Sequence, residues 1–168
     1  AIEASAATVG RCEAYLGRLL AAYPGQYSTA VVTDEQGVGR CATNPKAVGM
    51  AFSDRDVFKK VRTAKDLVIG DTIASRTTPN AIIPIAVPVI RDGTFRGMCA
   101  VGITLGALAQ AAAHVEGIGG TTVAVVDGSG AAIGGDATAM RRLPVPARLA
   151  EVLTGRPVGF SDFGQDGS

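Results

Sequence analysis

Residues 81 to 103, AIIPIAVPVIRDGTFRGMCAVGI, decide how the rest of the chain can be arranged. Two apolar runs, Ala81 to Ile90 and Thr94 to Ile103, are joined by Arg91-Asp92-Gly93. An Asp-Gly pair between strand-like runs is a strong hairpin signal, because the tight turn that joins twisted strands needs positive φ at its centre. The two runs therefore form a long antiparallel pair. Pro84 and Pro88 lie in the first run and each removes a ladder donor, which predicts an edge position or bulged pairing for that strand.

On the C-terminal side, Leu105 to Ala113 reads as a helix, broken by Gly117, Gly119 and Gly120. The span from 97 to 115 contains no Asp, Glu, Lys or Arg, but it carries Thr104, Gln110, His114 and three glycines. Its strand-like first half and helix-like second half predict a buried strand running into a helix, not a membrane span. On the N-terminal side, the loop Ser75 to Asn80 follows a predicted third strand, Leu67 to Ala74. Before that strand, Phe52-Ser53-Asp54-Arg55-Asp56-Val57-Phe58 carries a helix start. Ser53 is placed to cap, Asp54 and Asp56 would sit in the first turn, where the helix dipole favours carboxylates, and the register continues to about Arg62. Arg55 and Phe58, three apart, share one face. Taken alone, this is a surface helix whose Arg55 pairs with Asp54 or Asp56.

Further upstream, Tyr27 to Thr33 and Val38 to Thr43 are predicted strands about the turn Asp34 to Gly37, with Asn44-Pro45 closing the hairpin. Residues 3 to 22 are Ala-rich, with Val9, Cys12, Leu16, Leu19 and Leu20 at roughly helical spacing. Tyr23-Pro24-Gly25 stops that helix. The start, Ala1-Ile2-Glu3, has neither Met nor a basic or apolar leader, and reads as cut from a longer chain.

The 168 residues are 47% hydrophobic and 18% charged, with no Trp and a formal net charge of +1. This is a globular composition, and without a basic run it lacks the electrostatic footprint of a nucleic-acid binder. Cys12, Cys41 and Cys99 fall in different predicted elements, so no metal cluster or CxxC motif arises. Two readings stand: one disulfide plus one free thiol, in an oxidising compartment, or three buried small hydrophobes, the second being favoured. His114 is the sole histidine, with no partner for zinc or for catalysis, and reads as an exposed helix residue. Asp34, Asp92 and Asp127 sit in turns, and Gly117 to Gly120 lacks the context of a phosphate loop and reads as a linker. No nucleophile, base and orienting group occur together, so the chain is read as no enzyme, with no cofactor and no metal.

A weak repeat completes the pattern. The run Thr29 to Gly37 is echoed by Val123 to Gly130, each a strand entering an acidic, Gly-closed turn. The second copy continues with a predicted helix at about Ala147 to Leu153 and a strand at about Pro157 to Phe163, and lacks the long closing hairpin.

The order of these elements resembles the double Cache family, also called PDC sensors: paired PAS-like domains on the outer side of bacterial membranes. The residues that carry the resemblance are Asp54-Arg55-Asp56-Val57-Phe58, Ile85-Ala86-Val87-Pro88-Val89, and Asp92 to Gly97 followed by Val101 to Leu108. It covers residues 1 to about 115 well and 120 to 163 weakly. It implies an α+β fold of tandem PAS-like domains, each a central antiparallel sheet flanked by helices: an N-terminal helix over 1–25, a membrane-distal domain over 26–115, and an incomplete membrane-proximal domain over 116–168. The implied role is a periplasmic, extracytoplasmic ligand-sensing domain. Its parent receptor, a histidine kinase first and otherwise a diguanylate cyclase or chemoreceptor, would be a homodimer held in the membrane by segments outside this chain.

In family members that bind amino acids, the arginine equivalent to Arg55 holds the ligand carboxylate among aromatics, and an aspartate on the last strand receives the ammonium. Here Arg55 and Phe58 are kept. The usual Trp position is Val57, the expected third-strand aromatic falls near Ile73, and the expected carboxylate falls near Gly102. A buried ammonium without a carboxylate would cost several kcal/mol, so a small organic anion without an amine, a small carboxylate, is the expected ligand. Arg55 would supply the fork, Phe58 a wall, and Arg76 or the hydroxyls of Thr77 and Thr78 the mouth. Asp54 is a candidate contact that more readily bonds helix N–H groups. The alternative is a PAS-like interaction or dimerisation module whose pocket is filled by its own side chains.

Overall fold

The computed structural model of the chain describes residues 6–115, 124–126 and 132–135. The chain divides into two compact units, Ala1–Ala107 and Leu108–Ser168.

The first unit is α+β and is built on an antiparallel sheet. Its elements in chain order are α1 (Ala6–Ala21), β1 (Tyr27–Thr33), β2 (Gly39–Ala42), a 3-10 turn (Pro45–Ala47), α2 (Asp56–Ala64), β3 (Val68–Ile69), β4 (Ile73–Ala74), β5 (Ala81–Arg91) and β6 (Thr94–Thr104). The sheet runs β2-β1-β6-β5-β3, and β4 also pairs with β5. The β5–β6 hairpin expected from Asp92-Gly93 is its spine, in register from Ile82 against Thr104 to Arg91 against Thr94. Both turn residues have positive φ, 51° at Asp92 and 70° at Gly93. The longest sequence separation is closed by β1, which pairs with β6 from Tyr27 against Ile103 to Val32 against Cys99.

Strand alternation gives the sheet two differently used faces. Val31, Ala42, Ala86, Met98 and Ala100 point to one side, where they pack with Val57, Phe58 and Val61 of α2. Ala30 and Cys41 point to the other, where Leu16 of α1 covers them and Val32 and Val101 pack around them. A disulfide between Cys12 and Cys41, Cα atoms 6.3 Å apart, fixes α1 to β2, and Cys99 is free. The reading of three buried small hydrophobes is thus corrected. The pairing needs α1 laid across the sheet, which no local pattern in the sequence specifies.

Three other expectations are corrected. Helix α2 begins at Asp56, with Arg55 as its N-cap and no side-chain cap, so Ser53 does not cap it. The Arg55 amide instead donates to the Phe52 carbonyl at 3.0 Å, and residues 52 to 55 form a turn. The single strand expected over Leu67 to Ala74 is two short ones, β3 and β4. The cause lies across the sheet at Pro84. Its carbonyl accepts from the Gly70 amide at 2.8 Å, so its missing donor faces the same side, opposite the gap between β3 and β4. Finally, of the two alternatives for β5 the edge position is corrected, because β3 and β4 lie beyond it, while the bulged pairing is found, the register against β6 shifting between Val89 and Ile90. Strands β3 and β4 cover only Ala81 to Ile82 and Ile85 to Ala86, however. Pro88, which has the same strand parity as Pro84, directs its missing donor to the uncovered part.

Helix α3 (Leu105–Val115) follows β6 directly. In the second unit, β7 (Ala124–Val126) and β8 (Ala132–Gly135) form an antiparallel hairpin, as the repeat predicted for its first strand. The linker glycines 117 to 120, the helix at Ala147 to Leu153 and the strand at Pro157 to Phe163 lie outside the described residues. No helix among the described residues is long and apolar enough to cross a membrane.

Candidate functional site

Between α2 and the sheet face it covers lies a cavity of about 50 Å³. Its floor follows from period-two alternation: Thr29 and Val31 of β1, Met98, Ala100 and Gly102 of β6, and Ile82 and Pro84 of β5 all point to this side. Val57 of α2 and Phe52 and Arg55 ahead of it form the opposite wall. Ile73 and Ala74 of β4 with Ser75, Arg76 and Thr77 close the remaining side.

Arg55 reaches the cavity because it precedes the helix. At the N-cap its backbone is extended, φ −70° and ψ 135°, and its guanidinium Nη2 donates to the Ala74 carbonyl at 3.2 Å. Among the described residues no carboxylate lies within ion-pair distance of it. Burial, and then the neighbouring charge of Arg76, push its pKa below the ordinary arginine value, with Asp54 partly offsetting them. An anion held here would relieve both effects.

Arg76 is differently committed. Its Nη1 donates to the Ala51 carbonyl and, at 2.9 Å, to Asp54 Oδ1, while its Nη2 pairs with Asp54 Oδ2. The fork ties the segment after β4 to the turn before α2, across the mouth of the cavity. The hydrogen bond from Arg76 holds the Asp54 carboxyl below the usual carboxylate range, and the same bond raises the Arg76 pKa. The segment is further ordered by Ser75 Oγ, which accepts from the Thr77 and Thr78 amides at 3.2 Å, and by Asn44 Nδ2, which donates to the Thr77 carbonyl at 2.8 Å.

The residues predicted for the site are thus partly brought together. Arg55, Arg76 and Thr77 line the cavity. Asp54 lies at its mouth, paired with Arg76 and not with helix N–H groups, because α2 starts two residues later. Thr78 is not among the lining residues, and its buried hydroxyl has no hydrogen-bond partner among the described residues. Phe58 is 2% exposed and packs edge-on against Phe95, ring centroids 5.8 Å apart, inside the core. The aromatic wall beside Arg55 is Phe52. Thr29 and Met98 were also missed, although their strand parity with Gly102 is legible once β1 and β6 are paired.

Val57, Ile73 and Gly102, where the resemblance led one to expect an aromatic pair and an acid, do all line the cavity. Among the described residues no Asp or Glu joins them in lining it. At Gly102 a Cβ would lie 2.7 Å from Ile82 Cδ1 and 3.1 Å from Ser28 Oγ, so a side chain there would require the end of Ile82 to move.

Solved structures share this arrangement of an antiparallel sheet beneath a crossing helix, and those it resembles are sensor and ligand-binding domains of bacterial receptors. The extracellular domain assigned to the histidine kinase rpHK1S-Z16 is 25% identical with a TM-score of 0.54, over 58% of this chain and 42% of that one. The sensor domain of the Vibrio cholerae histidine kinase DctB is 19% identical with a TM-score of 0.60, over 88% of this chain and 57% of that one. The ligand-binding domain of the Pseudomonas fluorescens chemoreceptor CtaA, in complex with L-serine, is 16% identical with a TM-score of 0.60, over 83% of this chain and 59% of that one. This chain shares their fold and spans about half the length of these structures. No protein-family model and no curated protein matches the sequence.

Proposed function

We propose that the chain is the ligand-sensing part of an extracytoplasmic receptor region and that its first unit binds a small organic anion through Arg55. The observation that carries this is a half-buried guanidinium at an apolar cavity, hydrogen-bonded to one backbone carbonyl and, among the described residues, with no carboxylate within ion-pair distance. Such a group gains more from an anionic ligand than from any residue the cavity offers. In this reading the second unit is an incomplete PAS-like domain, and the parent is a membrane-anchored, homodimeric histidine kinase, with diguanylate cyclases and chemoreceptors as the other outputs. Occupancy is transmitted by a small displacement of α1, the helix that the Cys12–Cys41 disulfide couples to β2.

Calorimetry with mono- and dicarboxylates on the wild type and on Arg55→Ala tests the reading. Loss of the charge-assisted contact should weaken binding by roughly ten- to a hundredfold, about 1.5–3 kcal/mol. Equal binding by both proteins would refute it. The small volume of the cavity favours a second reading, an interaction module whose pocket is self-filled. That reading predicts no response to any small molecule.

A further inference from the structure

We infer that the ligand's carboxylate on Arg55 is its only acid and that its far end, a hydroxyl or an ammonium, donates hydrogen bonds in a second, outer cavity. The inference rests on the anion-binding reading of Arg55. Beside the cavity of about 50 Å³ lies a larger one of about 200 Å³. Arg55, Val57, Ile73 and Pro84 line both, so these four residues form the junction between them. The inner room holds roughly three to five water-sized groups at ~10–15 Å³ each. A ligand anchored at the junction and larger than that extends outward, where most of the space lies.

The wall of the outer cavity decides what can end there. Beyond the junction it is lined by Asp54, Asp56, Lys60, Gly70 and Asp71. With Arg55 taken by the ligand carboxylate, the charges left on that wall are three carboxylates and one ammonium. A second acid would meet repulsion there, while a hydroxyl or an ammonium finds acceptors. The three acids are not equally available. Asp54 is held by the fork of Arg76, and Asp56 accepts from Lys59 at 3.2 Å. Asp71 lies 3.9 Å from Lys60, beyond hydrogen-bond distance, and its side chain is 62% exposed, so it is the acceptor most open to a ligand. An exposed pair of this kind is weak enough for a ligand group to compete with it. Val57, Ile73 and Pro84 give apolar contact to the carbon chain that joins the two ends. An amine is thus accommodated by acids of the outer cavity, although among the described residues none lines the inner one.

The test is calorimetry on the full chain with four five-carbon ligands that differ only at the far end: pentanoate, 5-hydroxypentanoate, 5-aminopentanoate and glutarate. The hydroxyl and amino ligands should each bind about three- to tenfold more tightly than pentanoate, the worth of one net hydrogen bond, and glutarate should bind more weakly than pentanoate. In Asp71→Ala the advantage of the hydroxyl and the amine over pentanoate should fall below about twofold, and glutarate should gain on pentanoate. Ratios that do not move in that variant overturn the inference, and so does a wild type that binds pentanoate or glutarate as tightly as the two donor-bearing ligands. If Asp71→Ala fails to fold, the wild-type series decides. Arg55→Ala separates this inference from the reading beneath it. Where the series fails but Arg55→Ala weakens every ligand by about tenfold or more, the anion reading stands and only the donor end falls. Where Arg55→Ala leaves the affinities unchanged, or no ligand binds the wild type, both fall.

Discussion

Breaking the Cys12–Cys41 bridge should destabilise the first unit by several kcal/mol. The bridge closes a loop with a sequence separation of 29, and the loop-entropy relation gives about 3.6 kcal/mol for a loop of that length. The non-covalent contacts left to α1 are modest. Leu16 is buried against Ala30, while Cys12 and Leu20 are only partly buried. They would not replace the cross-link. The variant Cys12→Ser/Cys41→Ser, unfolded in urea beside the oxidised wild type, should lose on the order of 3–4 kcal/mol, and its Tm should fall by on the order of 10–15 °C. Reductant should reproduce most of that loss in the wild type and have no effect on the variant. A thiol count in denaturant should find one free cysteine in the untreated protein, Cys99. Three free thiols, or a double variant within about 1 kcal/mol of the wild type, would refute both the pairing and the coupling of α1 to the sheet.

Phe58→Ala should cost about 3–5 kcal/mol, measured by urea denaturation, because the ring is fully enclosed and stacked edge-on with Phe95. Gly93→Ala places a Cβ at φ 70° in the hairpin turn and should cost about 1–2 kcal/mol in the same assay. Stability should also fall with acid. At Asp34, burial would raise the pKa, but the Val38 amide and the Arg40 guanidinium outweigh it; at Asp54 the Arg76 hydrogen bond lowers it. Both folded values therefore lie below the unfolded one, so the stabilisation is present above about pH 4 and is lost as pH falls through the folded values. Asp54→Asn should flatten part of that dependence in a pH series of thermal melts; an unchanged profile would show that the Arg76 pair does not persist in solution.

The parts of the fold legible in the sequence are those fixed by near neighbours. Asp92-Gly93 specified the β5–β6 hairpin, and Tyr27 to Thr33 has the β-branched run of a strand whatever surrounds it. What the sequence did not show depends on partners far along the chain. Pro84 breaks β3 from β4 through a backbone contact with Gly70, and Cys12 meets Cys41 only because α1 crosses the sheet. Arg55 lines the cavity, but not from the helix face that its spacing with Phe58 predicts. It reaches the cavity from a turn ahead of the helix, and that shift of frame exchanges Phe58 for Phe52 as the wall beside it. The Asp54–Arg76 pair spans 22 residues and is invisible until β4 folds back beside α2.

Pro88 has a consequence for how the molecule behaves in company. Beyond β3, the long strand β5 runs on with open backbone and with Val87 and Val89 exposed, the features that invite a strand from another chain to add on. An incoming strand there would meet a pyrrolidine ring in place of an N–H, and the ladder could not propagate past it. Pro88 thus guards the sheet against growing by aggregation, and Pro88→Ala would remove that guard without touching the cavity.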